Sequence, residues 1–344
     1  MSIDALQSKI RKMKNPTMVC ICPYYDQIPA YLRENARAEF GDTLRAAAEA
    51  CLAFSCGILD VLADIVPAVS VETACFTALG ADGTTAMQQV LNYATQKGYY
   101  VLLDAMRCDI APNAELLAQP CFGLIQVGDY GYRPYVCDGV LLSSYLGSDA
   151  VKPFTRFCAE GRNVFLLAHS SNKSAREVQD LLSGDRVVYQ VMADLAMRWS
   201  EGLFGRNGYS QIGAVVGATY PQTLRLLREK YDRLFFLVPG YGAQGATAKD
   251  IANAFNDDGL GAIVNSSRGI MCAWKKTGNN GEDYKCGREA QYMRAFDGKK
   301  YYAMYMVSGL LNTQGGPKRS ANAEVLDTQG NPIPHLYSAG ECGG

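Results

Sequence analysis

"LFFLVPGYGAQGAT", residues 234–247, runs from apolar residues into a polar, glycine-bearing loop. A buried strand has this pattern where it opens onto a functional face. Seven other runs have strand character, at residues 17–23, 68–73, 99–106, 135–144, 163–171, 211–219 and 261–269. Apolar residues at helical spacing lie between them, over residues 40–65, 83–96, 174–183, 187–204 and 221–231. Nearly continuous apolar strands that alternate with helices predict a parallel sheet covered on both faces.

Eight strand-and-helix units within about 270 residues predict a (β/α)₈ TIM barrel, an α/β fold. An open doubly wound parallel sheet, which has fewer strands, is the alternative. In a barrel, the reactive groups are expected at the carboxyl ends of the strands, with a phosphate site in the loops after the last two.

The composition is that of an ordinary globular chain, with 344 residues, 48% of them hydrophobic and 19% charged. A net charge of -1 gives no reason to expect nucleic acid or a membrane as partner, and we expect a cytoplasmic protein. The twelve cysteines lie mostly in apolar runs, which favours free thiols over disulfides. Cys20 and Cys22 lack the partners of a zinc site, so no metal is predicted.

The loops after the last two predicted strands suit an anion. Gly240, Gly242 and Gly245 free the backbone, Gln244 offers an amide, and Arg268 offers a bidentate fork for phosphate oxygens. Tight turns with a surface arginine are the other interpretation of the same residues.

Four stretches together carry a family resemblance. They are "SYLGSD" (144–149), "VGATYP" (216–221), "LVPGYGAQG" (237–245) and "GLGAIVNSSRGI" (259–270). Residues 1–276 resemble the long bacterial class of orotidine 5'-phosphate decarboxylase. The resemblance implies a TIM barrel and a homodimer, which converts orotidine 5'-phosphate into UMP in pyrimidine biosynthesis with no cofactor.

The resemblance also implies site residues. The phosphate-binding positions match Gln244, Gly245, Arg268 and Gly269, and a substrate-pocket run matches Ser170, Ser171 and Asn172. His169, beside that run, is either an acid or base or a neighbour without a role in the chemistry.

The family's catalytic array is a lysine after the second strand and a D-x-K-x-x-D motif after the third. Asp104 and Asp109 match its aspartates, but Ser70 and Met106 occupy the positions of its lysines, and Cys22 stands where the first strand usually ends in aspartate. A thioether has no proton to give, and a serine hydroxyl is far too weak an acid to replace an ammonium. We therefore expect decarboxylation to be absent or very weak, and whether the chain is an enzyme is open.

Loss of both lysines leaves two carboxylates without a cation. If Asp104 and Asp109 lie close together, one of them should have a raised pKa, or the pair should recruit a metal or another cation. The alternative is that the two carboxylates are partly solvated and line a pocket that has no function.

The composition changes after residue 276, so the sequence predicts a barrel over 1–276 and a mostly extended segment over 277–344. "VLDTQGNPIPHLYSAGECGG" (325–344) resembles the carboxyl-terminal part of fumarate reductase and ketosteroid dehydrogenase flavoproteins, where Glu341 matches a residue near FAD. No G-x-G-x-x-G turn precedes this fragment, so we predict no cofactor and keep FAD as an alternative.

Three hypotheses follow. The first is a decarboxylase-like barrel that binds a nucleoside monophosphate, such as UMP or orotidine 5'-phosphate, but has lost the catalytic lysines. The second is an active decarboxylase with an unidentified compensating proton donor, and the third is a component of an FAD-dependent reductase.

Overall fold

A computed structural model describes residues 1–277, 324–326, 329 and 331–337. The chain divides into two compact units, residues 1–290 and residues 291–344. The sequence-based boundary at residue 277 stays a prediction, since the segment after it lies outside the described residues.

Eight parallel strands close into a barrel in which each pairs with its neighbours in chain order. They are β1 (Thr17–Ile21), β2 (Ala68–Glu72), β3 (Tyr100–Asp104), β4 (Gly139–Leu142), β5 (Asn163–His169), β6 (Ile212–Val216), β7 (Phe236–Pro239) and β8 (Ala262–Ser266). All eight predicted runs contain one of these strands. The TIM barrel is confirmed, and closure of the sheet excludes the open doubly wound alternative.

Helices surround the barrel or precede it. They are α1 (Ile3–Met13), α2 (Ala30–Phe40), α3 (Leu44–Leu62), α4 (Thr73–Thr77), α5 (Gly80–Gln96), α6 (Asn113–Phe122), α7 (Ser148–Thr155), α8 (Val188–Trp199), α9 (Pro221–Lys230), α10 (Ala248–Ala252) and α11 (Arg268–Met271). Four short 3₁₀ helices span Tyr25–Gln27, Arg156–Glu160, Lys173–Glu177 and Ala273–Thr277. Among the described residues, no helix combines the length and apolar character needed to cross a bilayer.

The barrel interior is filled by large side chains, as close packing requires. Phe165 and Phe235 are fully buried and meet edge to face, with ring centroids 6.3 Å apart. Ile3 and Leu6 of α1 belong to the same apolar cluster as Tyr100, the first residue of β3. Helix α1 therefore covers the amino-terminal end of the barrel and leaves the carboxyl end free for a site.

Residues 174–183 do not form the predicted helix. The segment begins within the 3₁₀ helix Lys173–Glu177, and Leu182–Ser183 then pairs antiparallel with Arg186–Val187. Gly184 takes a φ of 69° in the turn between these strands, so the turn residues override the apolar spacing. Two other short sheets pair Ile125–Val127 with Tyr130–Tyr132, and Glu324–Leu326 with Pro332–Tyr337.

Candidate functional site

The candidate site lies at the carboxyl ends of the barrel strands, where eight strand ends converge. Glu72 ends β2 and Asp104 ends β3, and the two are register partners in the sheet. Arg268 follows β8 and begins the short helix α11. Two pockets open at this face, and Ala243, Gln244 and Arg268 line both of them. The two pockets are therefore contiguous.

The larger pocket, the basic pocket, has a volume of about 670 Å³. Its lining consists of Ser171, Asn172, Lys173, Arg176, Thr219, Tyr220, Ala243, Gln244 and Arg268. Three of these side chains are cationic, and none is acidic. Neither Lys173 nor Arg268 takes part in an ion pair with any described residue. Both are available to an anion, which is the ligand this lining suits.

The wall of the basic pocket depends on a close approach between the chain after β5 and the chain after β6. A Cβ on Gly217 would lie 2.6 Å from Cα of Ser171, so no larger residue fits there. The hydroxyl of Thr219 donates to the carbonyl of Ser171 at 2.8 Å, and the hydroxyl of Tyr220 donates to the carbonyl of Asn172 at 2.8 Å. These bonds fix the polar residues of the two strand ends side by side.

The predicted phosphate and substrate-pocket residues divide into two groups. Gln244, Arg268, Ser171 and Asn172 line the basic pocket together, as the resemblance implies. Among the described lining residues of both pockets, Ser170, Gly245 and Gly269 are absent.

These three positions have other surroundings. The Ser170 hydroxyl donates to Oδ1 of Asn172 at 2.7 Å and so orders that strand end. The Gly245 N–H donates to the Gly242 carbonyl at 2.8 Å, which closes the loop on itself. Gly269 lies next to Arg268 in α11. The phosphate-binding roles of Gly245 and Gly269 stay predictions.

The smaller pocket, the acid pocket, has a volume of about 270 Å³. Its lining consists of Cys20, Cys22, Tyr24, Glu72, Asp104, Pro239, Gly240, Tyr241, Ala243, Gln244, Asn265, Ser267 and Arg268. Two carboxyl groups and two thiols face this space, and Arg268 is the one cation among the described lining residues. The acid pocket thus has the opposite charge character to the basic pocket.

Asp104 is the buried acid of this pocket. Its side chain is nine-tenths buried, and its Oδ1 has no hydrogen-bond partner among the described residues. Burial, with the nearby charges of Glu72 and Cys22, raises the pKa of Asp104 to about 7. Burial also raises the pKa of Glu72, although its Oε1 accepts a hydrogen bond from the Ala74 N–H at 3.2 Å.

The two thiols of the acid pocket differ in acidity, because a hydrogen bond with Cys22 and burial raise the pKa of Cys20 well above its ordinary value. Cys22 Sγ lies 2.6 Å from the Ser267 hydroxyl, and the adjacent Cys20 thiol lowers the pKa of Cys22. The pKa of Tyr24 is raised to about 12 by Cys75 and burial, with further contributions from Cys22 and Glu72.

Ser70 and Met106, which the resemblance aligns with the family's two lysines, bring no charge to the acid pocket. Ser70 is fully buried within β2, beside Cys20 in the sheet register. Met106 lies just beyond β3, 45% exposed, and its N–H donates to the Leu141 carbonyl at 3.1 Å. Met106 has a φ of 44°, which is uncommon for a residue other than glycine.

The expected Asp104–Asp109 pair is not the source of the raised pKa. Asp109 is partly exposed, and it accepts hydrogen bonds from the Ile110 N–H at 2.8 Å and the Asn113 amide at 3.3 Å. The acid that acts on Asp104 is Glu72, its neighbour across the sheet. The described residues contain no group of three His, Cys, Asp or Glu side chains able to hold a metal ion.

His169 is placed as a packed residue behind the basic pocket. It is fully buried, its Nε2 lies 2.9 Å from Oδ1 of Asp180, and its ring meets those of Tyr189 and Tyr220 edge to face. Burial lowers the pKa of His169. It lines neither pocket, so the alternative without a role in the chemistry fits the structure better.

Several lining residues of the two pockets were not singled out by the sequence analysis, among them Glu72, Lys173 and Arg176. Glu72 lies within the predicted strand 68–73, and Lys173 follows the matched run 170–172 directly. Their position at or just after the carboxyl ends of predicted strands was the signal in the sequence that could have identified them as site residues. Glu341, the predicted flavin contact, lies outside the described residues.

The comparisons with known proteins agree on one family. Residues 53–279 match the family model described as the orotidine 5'-phosphate decarboxylase / HUMPS family. An orotidine 5'-phosphate decarboxylase of Rhodopirellula baltica is 35% identical over 272 residues, which cover 79% of this chain and 88% of the relative. One from Clostridium perfringens strain SM101 is 34% identical over 277 residues, which cover 80% and 92%.

A solved structure extends the agreement to three dimensions. The structure of Leishmania donovani OMP decarboxylase matches with a TM-score of 0.61 and 28% sequence identity. The match covers 79% of this chain and 91% of the other. The barrel therefore has the fold of this solved decarboxylase.

Proposed function

The chain belongs to the orotidine 5'-phosphate decarboxylase / HUMPS family, and from that membership we propose a nucleotide-binding protein with impaired decarboxylase activity. Its ligands are nucleoside 5'-monophosphates such as UMP and orotidine 5'-phosphate, and its setting is pyrimidine nucleotide synthesis in the cytoplasm. The observation that carries the proposal is the acid pocket, where two carboxyl groups meet no ammonium among the described residues.

The chemistry explains why an ammonium matters. Removal of carbon dioxide from the pyrimidine ring leaves a carbanion, which a positioned cation must stabilise and an acid must protonate. Ser70 and Met106, at the positions that match the family's lysines, supply neither a charge nor a suitable proton. The charged array is thereby reduced to its acidic members.

Those acidic members also oppose the substrate. A substrate carboxylate about 4 Å from an ionised Asp104 is repelled by about 4 kcal/mol at an effective dielectric constant near 20. Glu72 adds to the repulsion, because it is the register partner of Asp104. Without lysines between these charges, orotidine 5'-phosphate is disfavoured relative to UMP, which lacks the carboxylate.

The basic pocket supports retention of phosphate binding. Arg268 and Lys173 have no acidic partner among the described residues, and Gln244 lines the same space. A guanidinium binds phosphate through two parallel charge-assisted hydrogen bonds. We assign the 5'-phosphate to Arg268 and Gln244, with Lys173 as a further positive charge.

Turnover of orotidine 5'-phosphate at high protein concentration, followed by ultraviolet absorbance, tests the proposal. We expect the wild type to show no more turnover than Arg268→Ala. The Ser70→Lys/Met106→Lys double variant in the same assay asks whether the defect lies at these two positions. Wild-type turnover that disappears in Arg268→Ala would overturn the proposal.

One observation favours a second candidate, an active decarboxylase in which Asp104 is the compensating proton donor. A pKa of about 7 keeps a large fraction of this carboxyl protonated at neutral pH. In this case the wild type turns over orotidine 5'-phosphate, its rate falls as the pH rises through about 7, and Asp104→Asn is inactive. The same assay thus separates the two candidates.

We also propose that the protein forms a homodimer. The hairpin Ile125–Tyr132 exposes four large apolar side chains, with Val127 62% and Tyr130 71% exposed. Solvent contact of such a cluster is unfavourable, which indicates an interface. Asp109, which matches the family aspartate that reaches a partner's site, is also partly exposed. Light scattering after size exclusion should give a dimer for the wild type and a monomer for Val127→Glu/Tyr130→Glu.

A further inference from the structure

The acid pocket contains hydrogen-bond acceptors that nothing in the described chain satisfies. Asp104 is 8% exposed and its Oδ1 has no donor, and the buried Oδ1 of Asn265 has none either. Both residues line the pocket. Buried acceptors normally have partners, and an exception at a pocket wall indicates that a ligand supplies the donor.

The surrounding charges restrict which ligand fits. Glu72 and the Cys22 thiol line the same space as Asp104, so the wall offers acceptors and negative charge. Arg268, the one cation among the described lining residues, also lines the basic pocket, where a bound phosphate would neutralise it. A ligand that satisfies Asp104 and Asn265 therefore has to present hydrogen-bond donors to these two side chains.

We propose that the acid pocket receives a nucleobase with an exocyclic amino group, as in CMP or AMP, in preference to a base with an oxo group at that position. The proposal rests on the proposed function, because it takes the 5'-phosphate to lie in the basic pocket. An amino group supplies two N–H donors to Asp104 and Asn265. An oxo base presents one ring N–H beside an oxygen acceptor, so it can satisfy at most one of these two acceptors, and the carboxylate of orotidine 5'-phosphate adds a charge as well.

Two matched pairs of nucleotides test the preference. CMP and UMP differ in the pyrimidine amino or oxo group, and AMP and IMP differ in the same way on a purine. Isothermal titration calorimetry at pH 8, where Asp104 is mostly ionised, gives all four affinities. We expect the amino member of each pair to bind roughly tenfold more tightly, as one charge-assisted hydrogen bond produces.

Three variants locate the effect. Asp104→Asn keeps the shape but removes the charge, so the preference within each pair should fall to roughly threefold or less. Asp185→Asn, the same substitution at an aspartate that is 97% exposed and lines neither pocket, should leave the preference unchanged. Arg268→Ala should weaken the binding of all four nucleotides by a similar factor and preserve the preference within each pair.

The outcomes separate this inference from the proposed function. Equal affinities within each pair, or tighter binding of UMP and IMP, would overturn the inference and leave nucleotide binding intact. Failure of the wild type to bind any of the four nucleotides would overturn both. A preference that survives Asp104→Asn at full size would also overturn the inference, because another group would then be its source.

Discussion

The two halves of the candidate site differ in both charge and burial. The basic pocket presents the exposed side chains of Lys173, Arg176 and Arg268, whose charges water compensates until a ligand binds. In the acid pocket Asp104 is nine-tenths buried and one of its oxygens has no partner. An exposed cation costs the fold little, whereas a buried unpaired carboxyl destabilises it.

This difference shows how the residues of the acid pocket can be substituted while those of the basic pocket are retained. The proposed phosphate-binding residues Gln244 and Arg268 lie after β7 and β8, whereas Ser70 and Met106, which the resemblance aligns with the family's lysines, lie on β2 and just after β3. Because the two sets of positions lie on different strands, substitutions in one set leave the side chains of the other in place, although Gln244 and Arg268 line both pockets. The comparison predicts that variants in the basic pocket change the overall affinity for nucleotides, whereas variants in the acid pocket change stability and the preference among nucleotides.

The largest expected effect is on phosphate binding. Arg268→Ala removes a bidentate charge-assisted contact and should weaken UMP binding by about 2 kcal/mol, roughly thirtyfold. Calorimetric titration measures it. Arg225→Ala, which removes an exposed arginine that pairs with Glu229 on α9, is the matched control and should bind UMP as the wild type does. Equal affinities of the two variants would remove Arg268 from the phosphate site.

A somewhat smaller effect concerns stability. The pKa of Asp104 rises from an ordinary 3.8 to about 7 on folding, so the folded state holds its proton more tightly than the unfolded chain. Its contribution to stability therefore decreases as the pH rises from about 4 to about 7, and the whole penalty is present at pH 8. Asp104→Asn should stabilise the protein by roughly 1 to 2 kcal/mol at pH 8 and by less at pH 5.

Urea unfolding at the two pH values measures this difference. Asp109→Asn provides the control, since Asp109 is partly exposed and already accepts two hydrogen bonds. A destabilised Asp104→Asn protein at pH 8 would show that the carboxylate has a partner in solution and would break the contrast between the two pockets.

The smallest expected effect lies at the rim of the basic pocket. Arg176 is 69% exposed, stacks over the Tyr220 ring at 5.3 Å and lies 3.7 Å from Asp180. Exposed charges contribute little, so Arg176→Gln should weaken UMP binding less than threefold, by about 0.5 kcal/mol. Arg186→Gln, in the neighbouring hairpin and outside both pockets, serves as the reference. A tenfold loss in Arg176→Gln alone would make Arg176 a principal phosphate ligand.

Much of the barrel followed from the sequence. The apolar strand runs were unambiguous because both faces of a barrel strand are covered. The glycine-bearing loops after β7 and β8 contain Gln244 and Arg268, which line both pockets, and their phosphate-binding role stays a prediction. The helix expected over 174–183 failed because the turn at Gly184 outweighs apolar spacing in a short exposed segment.

The acid pocket could not be derived in the same way. Asp104 and Glu72 are 32 positions apart in the sequence, and they become neighbours only through the register of β2 and β3. The sequence paired Asp104 with Asp109 instead, since the two share one motif. A pKa depends on burial and on charges from several strands, so it follows from the folded structure and not from the order of residues.

The most direct test of the central claim is a calorimetric comparison of UMP and orotidine 5'-phosphate binding to the wild-type protein at pH 8. The two ligands share the phosphate and differ by one carboxylate, so their ratio reports on the acid pocket alone. We predict that UMP binds at least roughly tenfold more tightly, because the acid pocket repels the added charge. Tighter binding of orotidine 5'-phosphate would contradict the account, since a cation would then have to face its carboxylate.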